Sequence, residues 1–108
     1  MENVKENTKC AKIAMINDLF RLSGLEVMLA GGVQSVKDIY GLLQAVRKYD
    51  NFNEDNNPWG ERDFGRLDWY GDSVIWKIDY YDQSLTYWED PASPKCQRVL
   101  TVMLASDY

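Results

Sequence analysis

A chain of 108 residues, 45% hydrophobic and 13% aromatic, can bury a core without a disulfide scaffold; it suits one domain over residues 1–108, with residues 1–6 frayed. It has no histidine, which removes the commonest general base near neutral pH and excludes Ser-His and Cys-His nucleophile schemes. The net charge of −5 is unevenly spread: residues 50–92 carry eleven acidic side chains against three basic ones, Arg62, Arg66 and Lys77, while both flanks are mildly basic.

No apolar run approaches the length of a membrane span, and the polar opening MENVKENTK does not read as a signal peptide. Cys10 and Cys96 lack the paired spacing of a zinc site. The expectation is a cytoplasmic protein with two reduced thiols and no membrane partner.

Taken in order, the chain first predicts a helix from Asn7 or Thr8 to about Leu22, with Cys10, Ile13, Ile16, Leu19 and Phe20 as its apolar stripe and Gly24 as its left-handed stop. Leu25–Ala30 reads as a short strand. Gly31-Gly32 is followed by none of the residues of a phosphate loop. A second helix opens at Ser35, with Asp38 completing a capping box, and carries Ile39, Leu42, Leu43, Val46 and Tyr49 on one face.

The stretch DNFNEDNNPWGERD, residues 50–63, is rich in oxygen ligands but fails as an EF-hand. Counted from Asn51, the sixth position is Asn56 where glycine is needed, and the twelfth is Arg62 where glutamate is needed. Two readings of the composition stand: a looser site for a hard divalent metal, and turn closure by Asn and Asp side chains on their own backbone, with Pro58 and Gly60 fixing the path.

Two β-rich runs follow, residues 67–70 and 73–81, separated by a Gly71-Asp72 turn. Alternation puts Val74, Trp76, Ile78 and Tyr80 toward a core and Ile75, Lys77, Asp79 and Tyr81 toward solvent or a partner. Leu85–Trp88 reads as a short edge strand. Residues 98–105, apolar at nearly every position, read as an interior strand. Two amphipathic helices followed by strands predict an α+β fold, two helices packed on a mostly antiparallel sheet of four to five strands.

The blocks INDLFR (16–21), AVRKYDNF (45–52), NNPWGERDFG (56–65), WKIDYYD (76–82) and RVLTVMLASDY (98–108) together resemble a small proteobacterial family of unknown function, DUF3768. The resemblance covers about residues 14–108. It implies a shared fold and a setting on plasmids, prophages and other mobile elements, and it carries no activity with it.

Function is therefore read from the acidic segment. Asp55, Trp59, Glu61, Asp63, Asp79, Tyr81 and Asp82 form the expected partner-binding surface, with Glu61, Asp63, Asp79 and Asp82 near one another and mostly exposed; carboxylates there mimic phosphates for a basic groove and aromatics anchor the contact. Asp63 has a competing structural role, shaping the turn from a buried position. The expected partner is a protein, such as a nucleic-acid-binding effector subunit of a host defence complex, and not nucleic acid itself. That is an inhibitor of the anti-CRISPR or antirestriction type, with no catalytic residues, metal or cofactor.

Two alternatives stand beside it. A generic interaction or regulatory domain would use the same surface differently. A metal-dependent carboxylate nuclease would need a carboxylate two residues before Lys77, where Ile75 stands.

Overall fold

The computed structural model describes residues 4–24 and 26–108 in backbone, and side chains from Thr8 onward apart from Leu25. Of the fraying expected over residues 1–6, the part at residues 1–3 lies outside the described residues, as does the start of the strand at Leu25; residues 4–6 are helical, so α1 begins at Val4 and not at Asn7 or Thr8. Helix α1 spans Val4–Ser23, β1 Val27–Leu29, α2 Ile39–Arg47, β2 Phe64–Trp69, β3 Asp72–Tyr81 and β4 Gln97–Leu104. Short 3-10 turns occupy Gly31–Ser35 and Ala105–Asp107. The order across the sheet is β1-β4-β3-β2, with β1 parallel to β4 and the other two ladders antiparallel. This is the expected α+β arrangement, with residues 97–104 interior.

The core lies between the helices and one face of the sheet. Val74, Trp76 and Ile78 of β3 and Leu100 and Val102 of β4 meet Val33, Leu42, Val46 and Tyr49. Trp76 sits at its centre, edge-on to Tyr49 at 5.4 Å between centroids. Gly65 is paired with Trp76 across the β2–β3 ladder. A Cβ at Gly65 would lie 2.3 Å from Trp76 Nε1, so only glycine lets the indole lie flat against β2.

Several local expectations are corrected. The turn between β2 and β3 is centred on Tyr70 and Gly71, both at positive φ, with Trp69 paired to Asp72. That is the backbone requirement of a type I′ turn, and it moves the turn one residue earlier than the Gly71-Asp72 reading. Asp38 is itself the cap of α2, accepting from Gly41 N at 3.1 Å, while Ser35 ends the preceding 3-10 turn.

Residues 85–88 form no strand; Leu85 takes positive φ and a single bridge joins Tyr81 to Trp88. Ile75, expected at the outer face, is 0% exposed. It lies between its cross-strand neighbours Arg66 and Met103, and the C-terminal 3-10 turn packs on the same strand. Leu19 is 62% exposed, whereas Asn17 and Arg21 are buried. The inward stripe of α1 therefore runs through Ile13, Asn17 and Arg21, and two of its three members are polar.

Candidate functional site

Those polar residues explain how α1 is fastened to the sheet. Asn17 Nδ2 donates to Glu61 O and to Tyr80 Oη, each at 2.9 Å. Tyr80 Oη donates to Glu61 Oε1 at 2.8 Å, and Arg98 Nε donates to Asn17 Oδ1 at 2.5 Å. Arg98 reaches on to Pro91 O at 2.7 Å and lies over the Tyr80 ring at 5.3 Å. Nearby, Arg21 donates to Tyr49 O at 2.8 Å and stacks over Trp76 at 4.7 Å, with Asp18 as its ion-pair partner. Burial lowers the Arg21 pKa, and the Asp18 carboxylate opposes that shift.

This network holds the floor of a surface groove of about 400 Å³. Its floor is apolar, with Ile13 and Pro91 buried. Its walls carry Trp59, Glu61, Tyr80, Trp88, Asp90, Lys9 and Cys10. Trp59 and Trp88 arrive on separate loops and remain 79% and 70% exposed. Lys9 Nζ and Asp90 Oδ2 form an ion pair at 3.1 Å at its rim. Asp90 is further fixed by Ala92 N at 2.9 Å; that bond, with Lys9, lowers its pKa.

A second depression, lined by Asp63, Ile78, Asp79, Tyr80, Tyr81 and Trp88, shares Tyr80 and Trp88 with the first. The two adjoin through these residues, and both are acidic and aromatic; only the first is lined by α1. Burial is the main cause of the raised Asp63 pKa, and the charges of Glu61 and then Asp79 add to it. Burial likewise pushes the Tyr80 phenol well above its ordinary range, so it is a neutral donor here. Lys77 is held charged by Asp79, at 2.6 Å.

Of the seven residues expected to bind a partner, five line these two depressions: Trp59, Glu61, Asp63, Asp79 and Tyr81. The four carboxylates expected to be mostly exposed, Glu61, Asp63, Asp79 and Asp82, are all half-buried. Asp82 stands beside the surface but organises the following loop: its Oδ1 accepts from Ser84 Oγ at 2.6 Å and from the amides of Ser84, Thr86 and Tyr87, and these bonds lower its pKa. Asp55 lies apart, in a depression between the 50–57 loop and β2. The Asp63 main chain is structural as well, its carbonyl accepting from Ile78 N at 2.8 Å.

Sequence reasoning missed Asp90 and Lys9 and read Trp88 as edge-strand packing. An aromatic next to Glu-Asp-Pro was the only available signal. Cys10, read as a core residue, is half-buried in the groove wall.

In the 50–63 loop the amide side chains close turns. Asn53 Oδ1 accepts from Asp55 N and Asn56 N, and Asn57 Oδ1 accepts from Arg62 N. Among the described residues, no three His, Cys, Asp or Glu side chains are grouped as metal ligands would be. No described helix is long and apolar enough to cross a membrane.

Residues 29–107 match the model of a family described as "Protein of unknown function (DUF3768)". No curated protein and no solved structure matches the chain.

Proposed function

The chain belongs to the DUF3768 family, and for it we propose a binding role: its acidic, aromatic surface docks on a basic groove of a protein that handles nucleic acid. The observation that carries this is a pair of adjoining depressions sharing Tyr80 and Trp88, one lined by Glu61, Asp90 and Trp59 and the other by Asp63, Asp79 and Tyr81. Carboxylates on a rigid surface compete for sites that otherwise hold phosphates, and exposed indoles supply the desolvated anchors that such contacts need. Direct binding of nucleic acid is disfavoured by the same charges. Neutralisation of Asp79 by Lys77 and the engagement of Asp82 in its own loop narrow the acidic set.

The finer reading is inhibition of a host defence complex, of the anti-CRISPR or antirestriction kind. It rests on the mobile-element setting that the family resemblance implies, and is an analogy.

The test is binding of purified defence-complex subunits to the immobilised chain, with and without their nucleic acid. Expected is capture that competing nucleic acid and rising salt reverse, and that Glu61→Gln, which keeps an oxygen for the Tyr80 hydroxyl, with Trp59→Ala strongly weakens while thermal unfolding is unchanged. Capture indifferent to both substitutions and to salt would overturn the proposal.

A further inference from the structure

A groove walled by indoles and carboxylates has a chemistry of its own. Aromatic faces attract cations through the ring quadrupole, and the attraction strengthens where water is excluded. Carboxylates beside them reject phosphate-bearing ligands and favour positive charge. The groove already takes one cation: the Lys9 ammonium sits on its wall, held by Asp90 at 3.1 Å. Lys9 is half in solvent and its pair is exposed, so the contact is weakly held and displaceable.

Two tryptophans on two loops stand largely in water at this one place. The planar guanidinium stacks on aromatic faces, pairs with carboxylates through two parallel bonds, and is less strongly hydrated than an ammonium.

We propose that the groove between Trp59 and Trp88 is a receptor for an arginine side chain of the partner protein, with Glu61 and Asp90 as its counter-charges. This rests on the binding role above and names the group on the partner that is recognised. Lys9 is an internal competitor that the incoming guanidinium displaces from Asp90. Tyr80 acts as a positioning residue, since its hydroxyl donates to Glu61 and aims that carboxylate.

The experiment follows the indole N–H resonances of the intact, nitrogen-15-labelled chain during titration with acetyl-Gly-Arg-Gly-amide. The same peptide with citrulline, with lysine, and free tetramethylammonium serve as comparisons. Expected are saturable shifts at Trp59 and Trp88 with the arginine peptide, no saturation with citrulline, and an unmoved Trp76 resonance that reports an intact core.

Trp88→Ala should weaken binding by about tenfold, and Lys9→Ala should strengthen it several-fold by freeing Asp90. Equal shifts with citrulline, tetramethylammonium binding as well as arginine, or no saturation at millimolar peptide would each overturn the arginine assignment. Because the peptides report on the groove alone, such a failure is distinct from failure to capture a defence subunit. That subunit could still dock through the surrounding acidic surface.

Discussion

Asn17 does more for this fold than a buried amide usually does. It is fully buried and meets the carbonyl of Glu61, the hydroxyl of Tyr80 and the guanidinium of Arg98, tying α1 to the 58–63 loop, β3 and β4. Replacement by leucine removes one bond from each of three half-buried partners, of which Tyr80 keeps Glu61 and Arg98 keeps Pro91, and each lost bond costs about 0.5–1.5 kcal/mol. Asn17→Leu should therefore lose about 3 kcal/mol in denaturant unfolding, and a loss near zero would show the network to be dispensable. Asp63 carries the opposite sign. Its folded pKa lies above the ordinary 3.8 because of burial, with Glu61 and Asp79 adding to it. The folded state then holds the proton longer than the unfolded chain does, so this group's contribution to stability falls as pH rises from the unfolded value through the folded one. The penalty is absent below that window and full above it. Asp63→Asn should accordingly raise Tm at pH 7 and leave it unchanged below about pH 3.5. A gain of equal size at both pH values would assign the effect to packing and not to charge.

At the scale of elements, the sheet was legible, and the first helix was legible as a helix but not in its inward face. Period-two alternation correctly put Val74, Trp76 and Ile78 inward, and the unbroken apolar run of β4 correctly marked an interior strand. Ile75 escaped that logic because its cover comes from Met103 and the C-terminal turn, which no local pattern announces. Helix α1 defeats a reading of hydrophobic periodicity because Asn17 and Arg21 take inward positions, held by specific hydrogen bonds and aromatic faces, while Met15, Leu19 and Leu22 are left outside. The groove was half legible for a related reason. Composition located Glu61 and Trp59, but not Lys9 and Asp90, which meet across 81 positions of sequence. The helix assignment has a direct check. Leu19→Glu should change stability by no more than about 0.5 kcal/mol, whereas Ile13→Ala should cost about 2–5 kcal/mol in the same denaturation assay. Equal losses would mean that α1 is rotated from the orientation described.

Over the whole molecule, charge is segregated and stays largely unneutralised. Of the eleven acidic residues in 50–92, only Asp79 and Asp90 form ion pairs among the described residues. Arg62, one of three cations in that segment, is drawn away to Asp18 on α1 at 2.9 Å. Exposed pairs of this kind contribute little, so the balance at long range is repulsion among carboxylates. The molecule measures 44 × 33 × 23 Å, comparable with the Debye length of about 30 Å at 0.01 M salt and well above the roughly 8 Å at 0.15 M. Like charges across the acidic surface therefore feel one another in dilute buffer and lose sight of one another at moderate salt. The expected outcome is that Tm rises between 0.01 and 0.15 M sodium chloride, by an amount corresponding to about 1 kcal/mol, or some 4–8 °C for a domain of this size. Scanning calorimetry at pH 7 measures it directly. A fall in Tm over that range would mean that the ion pairs outweigh the repulsion, leaving no stored field with which to attract a basic partner. A rise would show that the surface is held in a state that a bound cationic partner relieves, because neutralising those carboxylates and stabilising the fold are then the same event.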